Sequence, residues 1–498
     1  MSPLFPLIII PLLAALFIAV GANPRTTSLG AAFLNLILSI FLFARYDIHA
    51  AGWQFVSEWH VVPALGINLI LGADGLSLTM LLLSTLVTFS ALWVAPKVDK
   101  QEGLYYICLL FISAGVIGAF SSLDVLFLYS FHELALIPTF ILIGIWGSGD
   151  RQAAAWKATI YLGAGSFVLL IGILALYLSM PTATDVPRTF DLRVMNDMAR
   201  SGALQPASWI YLLLLVGFGT LVSLFPFHSW APSAYASAPP PAAMLHAGVL
   251  KKFGLYGLIR LALPFFPEAV HQYGPLLLIL LIGNIGYIGY VTVAQKRLDW
   301  TVGYSSVMHM GYIFLGLVSA VVISSGTTLG VNIIGLNGAM MLMFAHGLSV
   351  AAAFALCGEI RQRTGTLDYS ELGGLAKVLP TMGILFGFVS MASVGLPGFA
   401  NFAGEVLAFF GAASSVHTYG LIMILAIIVG VWGVVVSAIY MLRAYRSIFW
   451  GPLAARWESL ADISSTARYS VILLLIPLMI AGFYPPFILK MVGTVLPH

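Results

Sequence analysis

Glu133 lies near the centre of an apolar run, Leu123 to Gly147, that reads LDVLFLYSFHELALIPTFILIGIWG. Two adjacent lysines, Lys251 and Lys252, lie deep in a second run (239–263), and Glu405 lies in a third (387–410). A charge at the centre of a bilayer costs roughly 3 kcal/mol even on insertion scales, so three charged runs point to a path for protons or ions. A carboxylate near a movable cation changes its proton affinity as that cation moves, and a desolvated lysine exchanges protons readily. Imidazole titrates near neutrality through two nitrogens, which suits relaying. His246, His309 and His346 lie at mid-run, and His228 sits between two prolines. A lone buried histidine is more often a hydrogen-bonded core group; with the glutamates and lysines these four outline a buried polar chain. The proton path is therefore assigned to Glu133, Lys251, Lys252, His228, His246, His309, His346 and Glu405. Adjacent helical residues diverge by about 100°. One of the two lysines is thus expected to line the path, the other to pair elsewhere or snorkel, and His132 to point away from Glu133. Asp74 and Asp124 fall at the ends of apolar runs and read as capping groups, and Glu359 as solvated.

The elements that position these residues must be membrane helices. The chain of 498 residues is 60% hydrophobic and only 8% charged, against about 25% charged in a soluble domain. Its two cysteines, Cys108 and Cys357, have no CxxC or Cys/His spacing. Neither metal, iron–sulfur nor haem ligation is indicated. The sequence contains no P-loop, GxGxxG or nucleophile elbow, so soluble catalytic chemistry and nucleic-acid binding are not expected. The first apolar run lacks a basic n-region and a small-residue cleavage site, and reads as a retained span.

A span needs about 20 mostly apolar residues. Such runs occur near 3–21, 28–45, 76–96, 103–122, 123–147, 155–179, 208–231, 239–263, 273–295, 299–323, 328–358, 380–410, 419–442 and 469–494. These predict an all-α polytopic protein of about fourteen spans. Residues 46–75 alternate apolar and polar side chains and predict a hairpin outside the membrane; residues 180–207 are polar. Of the 22 Lys and Arg, fourteen fall in loops after odd-numbered spans and six on the opposite side. The positive-inside rule then puts both termini outside the cytoplasm.

Spans 7 and 12 carry breakers at mid-depth: Pro226 and Pro232 in one, Pro397 between Gly395 and Gly398 in the other. Broken helices survive in lipid only where protein or a water-filled cavity satisfies the freed backbone, and paired breaks point to inverted repeats. The resulting divisions are 1–102 (spans 1–3 and the hairpin), 103–263 (spans 4–8), 273–449 (spans 9–13) and 450–498 (span 14).

Seven stretches carry a family resemblance: LGADGLSLTMLLLS (71–84), FHELALIPTFILIGIWG (131–147), PFHSWAPSAYASAP (226–239), HAGVLKKFGLYGLIR (246–260), GYSSVMHMGYIFLG (303–316), FAHGLSVAAAFALCGEIRQRTGT (344–366) and GLPGFANFAGE (395–405). In this order, over nearly the whole chain, they resemble the antiporter-like, proton-pumping membrane subunits of respiratory complex I, an NADH-quinone oxidoreductase. Within that family they are most similar to the chain M type, or subunit 4 family. The resemblance implies that Glu133 is the fifth-span glutamate, Lys252 the central eighth-span lysine, His309 and His346 the relay histidines and Glu405 the exit residue. It implies no cofactor in this chain, with flavin, iron–sulfur clusters and quinone on other subunits. It also implies chain L and chain N type neighbours, lipid contact and a bacterial inner membrane. A subunit of a multisubunit sodium/proton antiporter, or of an energy-converting hydrogenase, is the alternative. One departure stands out. The family's seventh-span lysine, which pairs with the fifth-span glutamate, is here Leu221. Lys251 or His132 substitutes, the entry half works differently, or the subunit pumps poorly.

Overall fold

The computed structural model describes residues 2–50, 52–181, 188–323 and 329–493. Ten helices in it are long and apolar enough to cross a membrane. The helix Leu4–Ala19 and three composite rods bring the number of spans to fourteen among the described residues. The composite rods are span 7 (Ser208–Val222 and Trp230–Ser237), span 8 (Pro240 to Phe265) and span 12 (Pro380–Val394 and Ala400–Ser414). The protein is thus an all-α polytopic membrane protein, as its hydropathy predicts.

Burial sorts the spans. Span 3 (Gly75–Trp93), span 10 (Leu298–Val318) and span 11 (Ile333–Thr364) are enclosed nearly all round. Span 2 (Pro24–Arg45), span 5 (Val125–Trp146), span 6 (Arg151–Leu178), span 13 (Leu421–Phe449) and span 14 (Ser465–Phe483) turn much of their surface outward. Small residues permit the close crossings, as at Gly248 against the Gly347 carbonyl.

The alternating stretch forms the expected hairpin, with strand Gln54–Val62 antiparallel to Ile67–Ala73. It is tied to the start of span 5, where the Leu123 N–H donates to the Ile70 carbonyl (2.8 Å) and the Asn68 N–H to Asp124 (3.1 Å). Asp124 also caps span 5 by accepting from the Leu126 and Phe127 N–H groups. Asp74 caps span 3 through the Ser77 N–H and forms a bidentate, buried ion pair with Arg260 of span 8 (2.5 and 2.7 Å). Part of the polar stretch 180–207 is helical, Leu192–Arg200.

Three expectations are corrected. Spans 10 and 11 do not run over 299–323 and 328–358. Span 10 stops at Val318, and Val321–Ile323 pairs with Leu329–Val331 as a second hairpin. A short apolar run does not itself distinguish strand from helix end. Residue 328, and the last residue of the expected span 14, lie outside the described residues. Span 11 continues to Thr364; its 32 residues rise about 48 Å, well beyond the hydrocarbon thickness. Glu359 therefore stays on the helix, buried rather than solvated, and pairs with Arg363 at 2.6 Å. Arg363 in turn donates to the Ala461 and Asp462 carbonyls.

Candidate functional site

The two breaks are built alike. Each begins with a half-helix of fifteen residues, Ser208–Val222 or Pro380–Val394. Each half-helix ends on a left-handed residue, Ser223 (φ 64°) or Gly395 (φ 77°), shortly before a proline. Protein groups satisfy the freed backbone. Asn284 of span 9 (Gly274–Val293) accepts from the Phe225 N–H at 2.7 Å and donates to the Ser223 and Val307 carbonyls. The Trp230 indole donates to the Thr220 carbonyl (3.1 Å). At the second break His309 Nε2 lies 2.9 Å from the Ser393 carbonyl. A cation there faces the negative end of a helix dipole.

Span 8 departs from α-geometry twice, at His246–Leu250 and Leu258–Ala262, each one turn of π-helix. Such turns are frequent at functional sites. The first directly precedes the two lysines, and both are enclosed. They address different neighbours. The Lys252 ammonium donates to the Ala247 carbonyl (2.6 Å) and to Nδ1 of His346 on span 11 (2.9 Å). Lys251 reaches span 10 instead, with Nζ 3.5 Å from both Ser306 oxygens and 5.6 Å from the Tyr235 ring centre.

The row continues from His346. Its ring centre is 5.7 Å from that of His309 on span 10. His309 Nδ1 lies 2.7 Å from the Ser305 carbonyl while its Nε2 faces Ser393. Each ring nitrogen thus has a carbonyl acceptor within reach, so a proton on either one finds a partner. A cavity of about 10 Å³ is lined by both histidines, by Ser305, Ser306 and Ser349, and by Ser393 and Asn401 at the second break, large enough for one water. Ser305 Oγ is 2.8 Å from the Tyr440 hydroxyl. Glu405 is buried beyond the break, its carboxylate against Gly395, within electrostatic reach of Tyr312 and Tyr440.

Glu133 stands apart from this row. Ser166 of span 6 hydrogen-bonds it directly, and the Tyr129 hydroxyl is 3.4 Å from Ser166. His132 does not point away: its Nδ1 is 3.3 Å from Glu133 Oε1. The angular argument treats side chains as radial spokes, whereas these two curl toward each other. Pro138 removes the bond to the Leu134 carbonyl one turn later, which loosens the helix here. His246 has Nδ1 3.4 Å from the Tyr235 hydroxyl and a buried Nε2 without a partner. His228 lies at the first break, half-buried and stacked on Phe225 (5.6 Å), with Tyr287 as its other ring contact. The structure thus joins Lys252, His346 and His309, sets Glu405 past a break, and places His228 outside that row.

Sequence reasoning missed Asn284, Ser166 and Tyr235. Asn284 carried a readable signal, being the lone side-chain amide within span 9 (Gly274–Val293). Ser166 and Tyr235 carried none, because small polar residues are common in packed membrane helices.

The pattern of the family described as NADH:quinone oxidoreductase/Mrp antiporter, TM, matches residues 122–432. A NAD(P)H-quinone oxidoreductase chain 4-2 from Synechocystis sp. is 36% identical over 89% of this chain and 78% of its own length. A chain 4 relative from Trichormus variabilis is 33% identical over 97% of this chain and 88% of its own. Among solved structures, a chain of respiratory complex I from Thermus thermophilus superposes with a TM-score of 0.85, at 25% identity and full coverage of both chains. A chain of the Mrp complex from Dietzia sp. has the same fold, with a TM-score of 0.83 at 19% identity, covering 99% of this chain and 96% of that one. With its two matching breaks and its buried row of ionisable side chains, the chain belongs to the NADH:quinone oxidoreductase/Mrp antiporter membrane family, as an antiporter-like subunit of the chain 4 (chain M) type.

Proposed function

We propose that this chain is the proton-translocating membrane subunit of a complex I-like NADH-quinone oxidoreductase, a non-redox part of a translocase. The observation that carries the reading is the enclosed row Lys252–His346–His309, ending at the broken twelfth span with Glu405 beyond it. Every member is ionisable, and one small polar cavity is lined by both histidines and by Ser393 and Asn401 of the broken span. Protons enter near Glu133, reach Lys252, pass through the histidines and leave by Glu405. Lys251, His246 and His228 flank this route. Moving one charge against 100 mV requires about 2.3 kcal/mol, so redox energy released elsewhere must drive it.

The flavin, iron–sulfur clusters and quinone belong to other subunits, and the neighbours are of the chain L and chain N types within a lipid bilayer. The setting is a bacterial inner membrane with both termini outside the cytoplasm, as the Lys and Arg placement supports. Spans 4–8 and 9–13 form two repeats; five spans each make the second inverted, and the matching breaks support this. The remaining divisions, 1–102 and 450–498, flank them.

The test is proton uptake by inverted vesicles, normalised to electron transfer, for the assembled complex with Glu133→Gln. Loss of uptake supports a coupled path despite Leu221. Unchanged uptake per electron makes the chain a spacer and overturns the proposal.

A further inference from the structure

A carboxylate in a membrane span needs a cation, because an unpaired buried charge is destabilising. Glu133 has two lysines on span 8 within its half of the protein, and both are committed elsewhere. Lys252 is bound to His346 and the Ala247 carbonyl, and Lys251 to Ser306 and the Tyr235 ring. Span 7 presents apolar side chains on this side: Phe218 packs on Phe253 at 5.8 Å, and Leu221 is buried on the same helix. The basic group that touches Glu133 is its own neighbour. His132 is 2% exposed, whereas Glu133 leans to the protein surface and is 31% exposed. The His132 ring lies flat on Phe253, with centres 4.0 Å apart and planes 18° from parallel. That aromatic face favours the protonated ring and fixes its orientation.

We propose that His132 is the counter-ion of Glu133, a protonatable positioning residue that sets whether this carboxylate is held as an ion pair. The inference rests on the proposed proton path and names the residue that controls its entry. An imidazole takes up and releases a proton more readily than a lysine does, so the pair forms and dissolves where a lysine pair would persist. The groups facing the pair are Tyr129 on its own helix and Ser166 on span 6. From span 8 they are Phe253, packed on the ring, and His246, which is itself within electrostatic reach of Lys251 and Lys252. His246 and the two lysines are basic, and a proton on any of them repels one on His132 and so works against the pair.

The experiment compares the assembled native complex with His132→Gln and His132→Lys in inverted vesicles, measuring proton uptake per electron from about pH 6 to about pH 9, across the imidazole range. Uptake per electron in the native complex is expected to vary with pH over that range. His132→Lys is expected to flatten the profile, and His132→Gln to give low uptake throughout. A merely structural histidine would change assembly or total activity but not the shape of the profile. The Glu133→Gln/His132→Gln double variant should be no worse than Glu133→Gln alone, since paired residues are not additive. A His132→Lys profile that keeps the native pH dependence overturns the proposal, as does His132→Gln with native uptake. If His132→Gln fails to assemble, the His132→Lys profile alone decides. If Glu133→Gln abolishes uptake while both His132 variants behave as native, the counter-ion assignment fails and the proton path stands. If Glu133→Gln changes nothing, both fail.

Discussion

The Lys252 ammonium stands 2.9 Å from Nδ1 of His346, and both residues are closed off from solvent. Two ionisable groups at that distance share their protons, and their titration belongs to the pair. Lys252→Met and His346→Ala are therefore each expected to abolish proton uptake per electron, and the double variant to be no worse than either single one. Proton uptake by the three variants, normalised to electron transfer, checks this. An additive double variant would mean that the two residues serve separate routes.

Gly395 adopts φ 77° at the end of a half-helix, with the Glu405 carboxylate pressed against it. Gly395→Ala adds a Cβ where that carboxylate sits, in a backbone region that costs roughly 1–3 kcal/mol for other residues. The expected outcome is a lower thermal midpoint of the purified complex and a loss of proton uptake at temperatures where the complex is still intact. Gly149→Ala is the control: it also has positive φ but no neighbour within 4 Å, so it should carry the backbone strain alone.

The Asp74–Arg260 pair clamps the start of span 3 to the end of span 8, with the guanidinium also 4.7 Å from the Trp53 and Tyr256 ring centres. Asp74→Asn leaves a buried cation without its partner and is expected to destabilise the protein by about 3–5 kcal/mol. Replacing both partners by apolar residues should recover most of that loss. Thermal unfolding of the two variants in the same detergent checks the difference.

Asp462, in the loop before span 14, accepts from the Thr381 and Met382 N–H groups and so caps the first half of span 12. Burial raises its carboxyl, but hydrogen bonds from Thr381, Met382 and Ile463 outweigh burial and hold it below the ordinary aspartate value. A depressed carboxyl contributes stability above its unfolded value, near 3.9, which is lost as pH falls through the lower folded value. Asp462→Ala is therefore expected to cost about 1 kcal/mol at neutral pH, a typical cap loss. The gap from the native protein should close in strong acid. Thermal midpoints measured at neutral pH and in acid check both halves.

Hydropathy alone located the fourteen spans and proline placement the two breaks, because lipid leaves the backbone few other choices. The hairpin after span 2 was legible from strict alternation. The limits were local. Val321–Ile323 and Leu329–Val331 are as apolar as the helix they follow, so nothing in composition marked the turn to strand. The π turn at His246–Leu250 shifts the register just before Lys251, and no residue type marks such a turn in advance. The contact of His132 with Glu133 was hidden by a straight helical wheel. Of the site, the ionisable side chains were readable, whereas their pairing was not, because pairing depends on which helices become neighbours.

The cavity lined by the two histidines and the broken twelfth span measures about 10 Å³. A water molecule fills such a space, and a proton crosses it by exchanging bonds without moving a nucleus far. A metal cation is different: it travels with several coordinating oxygens, and a passage that replaces them must supply a ring of its own. Four serines, an asparagine and two imidazoles around so small a space do not form such a ring. On the proposed proton path this cavity would therefore act as a sieve, telling charge carriers apart by the volume of their escort before any difference in binding affinity matters.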